Sequence, residues 1–193
     1  MPPPESIRPP RADEAHVWLA QLDDRFDAAI LSDPERKRAA RIIRPEAALR
    51  WAASRATLRM IVARYTGQPA QDIPLEPLGP QPPLGALNLG VSHSGDLLAV
   101  AFGAVEVAID IELDREVNEP ERLAARLGPE AMQALTLDSP TARSSALLQA
   151  WTRYEARLKL GAPDPWLRDF RFVGAAGTLA APNPLKVQLF DYP

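Results

Sequence analysis

The sequence predicts an α+β fold of two pseudo-symmetric halves, each a long helix packed on a small antiparallel sheet. Three observations predict it. The 21 prolines among 193 residues leave four long proline-free windows, and proline is excluded from helix interiors and central strands. Two of these windows have a long helical pattern, and short apolar runs follow each of them. No close sequence repeat accompanies this layout, so the halves are expected to resemble each other in arrangement only.

The first half is expected to begin with a strand and continue through two helices. Ser32 or Asp33 can cap a helix that has Pro34 in its first turn, and Gly67 is placed to end the longer helix. Strict alternation of apolar and polar residues predicts the last strand of this half. The predicted elements in chain order are a strand at 16–22, helices at 34–43 and 46–65, and strands at 87–91, 97–102 and 105–112.

The second half is expected to be helical first and then to end in short strands. Asn118 and Glu121 resemble a capping box for its first helix. Its longest helix is amphipathic, with a buried stripe predicted from four apolar residues, which are Leu147, Trp151, Tyr154 and Leu158. The predicted elements are helices at 120–127, 129–137 and 141–160, and strands at 170–173, 177–180 and 186–190.

Proline also marks the expected domain organisation. Five prolines within 1–10 predict a disordered leader over 1–12, and five more at 74–83 predict a linker or extended loop. The N-terminal half is placed at 13–112 and the C-terminal half at 113–193.

Composition excludes several kinds of site. The chain has no cysteine and two histidines, which excludes disulfides, thiolate catalysis, and zinc sites built on cysteine or on many histidines. It has neither the apolar core of a signal peptide nor an apolar run long enough to cross a membrane. We therefore expect a cytoplasmic protein without a membrane partner.

Charge is concentrated in one segment. Residues 34–64 contain nine basic and two acidic residues, although the whole chain has a net charge of −3. Such a segment suggests an anionic partner, which could be a phosphate, a nucleic acid or an acidic protein, or it is simply a solvated helix face. The acidic remainder and the lack of a recognised binding motif argue against nucleic acid.

Two carboxylates stand together on one strand. Asp110 and Glu112 are two residues apart in the alternating segment, so they share a face. Because neighbouring carboxylates repel each other, a hard divalent cation such as Mg²⁺ is one explanation for the pair. The other is the solvent-exposed face of an edge strand.

Three further residues are candidates for a phosphate site, Glu155 as a ligand and Lys159 and His93 as donors to phosphate. Glu155 and Lys159 are one turn apart on the long helix 141–160, either as a surface ion pair or as a ligand and a cation placed over a phosphate chain. His93 lies between two serines and beside Gly95, where small residues allow a ligand to approach closely.

These pieces occur in an order that resembles the Sfp-type 4′-phosphopantetheinyl transferases. Residues 88–95 (NLGVSHSG) are similar to the SHS-type turn of that family, 107–112 (VAIDIE) to its acidic strand and 151–159 (WTRYEARLK) to its WxxKEAxxK helix. The resemblance runs from about residue 16 to about residue 191 and includes the arginine-rich helical segment.

The resemblance implies a transferase that moves the phosphopantetheine arm of coenzyme A to a serine of an apo acyl or peptidyl carrier protein. Adenosine 3′,5′-bisphosphate would leave. The implied metal ligands are Asp110, Glu112 and Glu155, with Glu155 also the candidate base and Lys159 near the transferred phosphate. The residues implied to contact coenzyme A are Ser92, His93, Lys159, Arg36, Arg38 and Arg50.

The chain departs from the family pattern at several points. Tyr154 stands where the family usually has lysine, and Ala108 replaces a glycine, which is expected to crowd a ligand. The chain ends at Pro193 without a further strand, which predicts an exposed sheet edge and a monomer or weak dimer. The alternative hypothesis is therefore a weak or inactive relative that binds coenzyme A or a carrier protein.

Overall fold

Within the part of the chain that the structure describes, seven strands, five α-helices and two single-turn 3₁₀-helices make up the fold. The structure, a computed structural model, describes residues 6–23, 25–75 and 84–192. Most of the predicted linker, at 76–83, lies outside the described residues. In chain order the elements are β1 (Glu14–Gln21), α1 (Asp33–Ala39), α2 (Pro45–Thr66), β2 (Asn88–Ser94), β3 (Leu97–Gly103), β4 (Ala108–Leu113), α3 (Pro120–Leu127), α4 (Pro129–Ala134), α5 (Pro140–Leu160), β5 (Trp166–Phe172), β6 (Ala175–Ala181) and β7 (Lys186–Tyr192).

Local signals in the sequence explain where the main helices begin and end. Ser32 caps α1 in a capping box with Glu35. Proline occupies the first turn of both long helices, α2 and α5. Both end at a glycine in the left-handed conformation, Gly67 and Gly161. Glycine adopts this conformation without strain because it has no side chain.

The first sheet has the strand order β2-β3-β1-β7, and α2 packs on one of its faces. Trp18, Val100 and Phe102 of the sheet bury their side chains with Leu58 and Ile61 of α2. The β1–β3 and β2–β3 pairs are antiparallel, whereas β7 runs parallel to β1. The first half therefore has the predicted helix on a small sheet, with one parallel edge strand added.

The second sheet has the order β4-β6-β5, and all of its pairs are antiparallel. Helix α5 packs on it through small residues, since Ala156 and Leu160 lie against Ala108 and Ala180. The α+β class and the arrangement of one long helix on each sheet are therefore confirmed.

The two halves exchange strands. Strand β4, which the sequence analysis placed at the end of the N-terminal half, pairs with β6 of the second sheet, and β7 from the end of the chain pairs with β1 of the first. Val17, Ala101, Ile109 and Leu179 form part of a core between the facing sheets. The layers are thus helix, sheet, sheet and helix, and β2 and β4 lie beside each other at one edge.

The buried stripe of α5 differs from the prediction. Leu147 is buried, but Trp151 and Tyr154 are half-buried and Leu158 is 57% exposed. The helix face that packs on the second sheet instead contains four buried residues spaced four apart, which are Leu148, Thr152, Ala156 and Leu160. Small side chains permit close packing on a sheet of alanines and a threonine, so the large side chains lie along the flank of the helix.

The described part of the expected leader contacts the folded body. The Ile7 amide donates to the Arg64 carbonyl at 2.8 Å, and Arg8 makes two hydrogen bonds to Glu14 at the start of β1. Among the residues described, no helix is both long and apolar enough to cross a lipid bilayer.

Candidate active site

The site is built where the edge strands β2 and β4 of the two sheets lie side by side. Gly90 permits this approach, because a Cβ added to it would stand 3.0 Å from the Ala108 Cα and 3.0 Å from the Val107 carbonyl oxygen. No larger residue fits without moving a backbone. Two residues further along each strand, Ser92 lies beside Asp110. The close approach therefore brings the serines of β2 to the carboxylates of β4.

Asp110 is 6% exposed and is held from two elements. Its Oδ1 accepts hydrogen bonds from the Ser92 hydroxyl at 3.0 Å and from Lys159 Nζ at 2.6 Å. Lys159 also donates to Ser92 Oγ and to the Ile109 carbonyl. Asp110 Oδ2, in contrast, is buried and has no hydrogen-bond partner among the residues that the structure describes. A buried carboxylate oxygen without a donor is costly, so this atom is a candidate metal ligand.

Glu112 lies on the same face of β4, closer to solvent. Its Oε2 accepts a hydrogen bond from Ser94 Oγ at 3.1 Å and lies 3.8 Å from an Arg115 nitrogen. The shared face predicted for Asp110 and Glu112 is therefore present, and each carboxylate has its own serine.

Glu155 is half-buried on α5 and makes no hydrogen bond or ion pair with any residue that the structure describes. It lies one helical turn from Lys159, and Lys159 reaches across to Asp110 rather than pairing with Glu155. Within the described ranges, no three acidic or imidazole side chains stand close enough to hold a metal ion as placed. No hydrogen bond or ion pair with a described residue would have to break for the Glu155 carboxylate to reorient.

His93 projects from the opposite face of β2 to its two flanking serines, because side chains alternate along a strand. It is exposed. Arg50 of α2 forms an ion pair with Asp96 in the turn between β2 and β3. Two of the residues implied to contact coenzyme A, His93 and Arg50, are thereby brought to the same end of the first sheet.

The other two arginines implied to contact coenzyme A remain on α1. Arg36 bonds to the Leu31 carbonyl and to Asp33, within its own segment. Arg38 is half-buried, and its Nε has no hydrogen-bond partner within the described ranges. Both keep donor capacity for an anion.

Two other basic residues of the cationic segment have a structural role that the sequence analysis did not predict. Arg55 and Arg59 bond through Nε to the two carboxylate oxygens of Glu35, at 2.8 and 2.6 Å. Glu35 is fully buried. Burial alone favours the neutral form, but hydrogen bonds from Arg59, the Ser32 amide and Arg55 together lower the pKa of Glu35. The segment therefore offers fewer cations to a ligand than its charge suggests.

Ala108 and Tyr154, two of the departures from the family pattern, lie in different surroundings. Ala108 is buried among Ala156, Leu160 and Ala180, so its methyl group packs on α5, and the expectation that it crowds a ligand is not supported. Tyr154 stacks on Trp151, and the guanidinium of Arg126 lies over both rings, 5.1 Å from the centre of Trp151 and 5.9 Å from that of Tyr154.

A cavity of about 420 Å³ lies at the end of β4, next to Glu112 along the chain. Its lining is mixed and includes Asp114, Arg115, Ser144 and Arg171. Arg171 makes two hydrogen bonds to Asp114, so charge within the lining is partly compensated.

Comparison with known proteins assigns this arrangement to a class of transferases. Over 163 residues the chain is 32% identical to the 4′-phosphopantetheinyl transferase HetI of Nostoc sp. strain PCC 7120, and the alignment covers 77% of this chain and 68% of the relative. No protein-family model matches the chain. At this identity and coverage, the chain belongs to the 4′-phosphopantetheinyl transferase family. The resemblance inferred from the three motifs is therefore confirmed.

Proposed function

We propose that this protein transfers the 4′-phosphopantetheine arm of coenzyme A to a serine of an apo acyl or peptidyl carrier protein, in a Mg²⁺-dependent reaction. The hydroxyl oxygen of the acceptor serine forms the new bond to phosphorus, the bond to the bridging pyrophosphate oxygen breaks, and adenosine 3′,5′-bisphosphate leaves. The observation that supports this best is the group of Asp110, Lys159 and Ser92 at the junction of the two sheets, in a chain of this family.

The residues fit a hard divalent cation. The donors are carboxylate oxygens, which Mg²⁺ prefers, and Asp110 Oδ2 is a buried oxygen without a donor. Asp110, Glu112 and Glu155 would hold the ion. Bound there, it would neutralise charge on the oxygens of the pyrophosphate.

Glu155 is the proposed general base. Its carboxylate has no hydrogen bond to give up and is half-exposed, so it can accept the proton of the attacking serine hydroxyl. Lys159 is the proposed cation for the transferred phosphate. Its three donors now bond to Asp110, Ser92 and the Ile109 carbonyl, and 37% of its side chain is accessible, so a phosphate oxygen would take the place of one of these partners.

Coenzyme A is proposed to bind across the ends of β2, α1 and α2. His93 and Arg50 lie at the turn between β2 and β3, and Arg36 and Arg38 lie on α1. Hydrogen bonds from fixed guanidinium groups suit phosphate oxygens. The Ser92 hydroxyl is the weakest member of this set, because it already bonds to Asp110 and Lys159.

The test is to incubate the protein with coenzyme A, Mg²⁺ and several apo carrier proteins and to measure carrier mass. A gain equal to one phosphopantetheine arm supports the proposal, and release of adenosine 3′,5′-bisphosphate should match it one for one. Correctly folded protein that modifies no carrier would overturn it.

A second candidate is a relative that binds coenzyme A or a carrier protein with little or no turnover. Tyr154 favours it, since this ring stands where the family usually has lysine. Coenzyme A binding measured by calorimetry, together with no carrier modification, would favour this candidate over the transferase.

A further inference from the structure

We infer that Ser92 and Ser94 are positioning residues, and that their hydroxyls hold Asp110 and Glu112 in the orientation in which these carboxylates receive a metal ion. This inference rests on the proposed function, because it concerns the same site. It assigns the two serines a role different from contact with coenzyme A.

The two serines make the same pair of hydrogen bonds, two residues apart. Ser92 Oγ donates to Asp110 Oδ1 at 3.0 Å and accepts from the Ile111 amide at 3.3 Å. Ser94 Oγ donates to Glu112 Oε2 at 3.1 Å and accepts from the Leu113 amide at 3.1 Å. Each hydroxyl thus joins a carboxylate to the amide that follows it on β4. Repetition of one geometry at both positions indicates a clamp rather than a chance contact.

The hydroxyl of Ser92 has no capacity left for a ligand. A serine hydroxyl has one proton and two acceptor sites. Asp110 takes the proton, and the Ile111 amide and Lys159 Nζ occupy both acceptor sites. Contact with a phosphate through this oxygen would require one of these bonds to break. The side chain is also 92% buried, being 8% exposed, which keeps it from solvent.

The clamp leaves the correct atom open. Both hydrogen bonds to Asp110 fall on Oδ1, so Oδ2 is left without a donor. Fixing one oxygen of a carboxylate restricts its rotation and defines where the other oxygen points. Residues that orient metal ligands in this way commonly change metal affinity by 10- to 100-fold when they are replaced, an order-of-magnitude range.

Gly90 also contributes to the clamp. It is the preceding residue on the same face of β2, and only an absent side chain brings β2 close enough for a serine hydroxyl to reach β4. The alternation Gly90, Ser92, Ser94 is matched by Ala108, Asp110, Glu112 on the neighbouring strand.

The experiment compares Ser92→Ala, Ser94→Ala and Ser94→Thr with the wild-type protein. Ser54→Ala is the matched control, because Ser54 is also buried but bonds to the Trp51 carbonyl within α2. The first readout is amide hydrogen exchange without metal. We expect faster exchange of the Ile111 amide in Ser92→Ala and of the Leu113 amide in Ser94→Ala, with Ser94→Thr close to wild type. Unchanged exchange in both alanine variants would overturn the clamp.

The second readout is the binding of Mn²⁺ alone, which is measured from the electron paramagnetic resonance signal of the unbound ion. We expect about tenfold weaker binding for each alanine variant, recovery in Ser94→Thr and no change in Ser54→Ala, at a temperature at which all four variants are folded. If the wild-type protein binds Mn²⁺ and the alanine variants bind it with equal affinity, the clamp is overturned and the metal assignment is not. A wild-type protein that binds no Mn²⁺ would instead overturn the metal assignment in the proposed function.

Discussion

Lys159 already provides Asp110 with a positive charge when no metal is present. Its Nζ lies 2.6 Å from Asp110 Oδ1 and also contacts Ser92 and the Ile109 carbonyl. A carboxylate buried without a counter-charge would be strongly destabilising. The lysine therefore joins α5 to the junction of the sheets, and Glu155, one turn away, remains without such a contact.

Glu155→Gln is expected to abolish carrier modification while the protein stays folded. The change removes one charge and the proposed base, but it breaks no hydrogen bond among the described residues. Carrier mass and the melting temperature should be measured together. Glu106→Gln, an exposed residue before β4, should retain activity. Wild-type activity in Glu155→Gln would contradict the role of Glu155.

Glu35→Gln is expected to lower the free energy of unfolding by about 3 kcal/mol, because Arg59, which is 1% exposed, loses its carboxylate. Urea unfolding measures the change. Glu46→Gln, at an exposed position in the first turn of α2, should cost at most about 0.5 kcal/mol. Equal losses in the two variants would show that the buried ion pairs contribute nothing beyond a surface charge.

Strand β7 completes the first sheet from the far end of the chain. Phe190 stacks on Trp18 with ring centres 4.7 Å apart, and the neighbouring Leu189 is 56% exposed. The strand runs parallel to β1, whereas the sequence analysis predicted only antiparallel sheets. Packing of this strand therefore ties the C-terminal residues to the first half.

Phe190→Ala is expected to lower the free energy of unfolding by about 2 kcal/mol, since the ring is half-buried and its stacking on Trp18 is lost. The emission of tryptophan should shift to longer wavelength as Trp18 meets water. Leu189→Ala, the adjacent residue on the exposed side, should change stability by less than about 0.5 kcal/mol. Similar losses in the two variants would mean that β7 does not pack in this register.

Three residues illustrate how the stability of the molecule should depend on pH in acid. His16 is 1% exposed, and burial lowers its pKa from 6.5. The hydrogen bond from Arg8, and then the Arg11 amide, lower the pKa of Glu14 from 4.5 to about 2. Glu35 also has a lowered pKa, as its hydrogen bonds outweigh burial.

All three pKa shifts make the folded protein less stable as the pH falls. The unfolded chain binds a proton on His16 below pH 6.5, where native His16 still resists protonation, so stability falls as the pH drops from that value. The contribution of Glu14 is complete above pH 4.5 and is lost as the pH falls toward 2. That of Glu35 is also complete above pH 4.5 and is lost at lower pH. We expect urea midpoints to decline in two stages.

The variant His16→Gln should remove the first stage and keep the second. Urea midpoints measured from about pH 7 down to about pH 3 would check this, because the loss due to His16 begins near pH 6.5 and the loss due to the carboxylates begins near pH 4.5. A wild-type midpoint that stays constant from pH 6.5 to pH 5 would contradict the assignment to His16.

Features encoded by local patterns were predictable. Alternation along β4 correctly placed Asp110 and Glu112 on one face, and Pro34 and Gly67 marked helix ends close to those observed. The partners of Glu35 and Lys159 were not predictable, because they lie 20 and 49 residues away along the chain. The i, i+4 spacing of Glu155 and Lys159 left open a surface ion pair or a ligand and a cation over phosphate, and in the structure Lys159 pairs with buried Asp110.

The sequence by itself determined the α+β class, the two long helices, the acidic face of β4 and the family, because each depends on residues that are neighbours in the chain or on motifs kept in order. Only the tertiary structure decided that β4 and β7 each join the sheet of the other half and that two arginines form ion pairs with Glu35. It also decided that Ser92 and Ser94 donate hydrogen bonds to Asp110 and Glu112. These contacts depend on how closely two sheet edges approach. That approach is set by packing around Gly90, which no periodicity in the sequence reports.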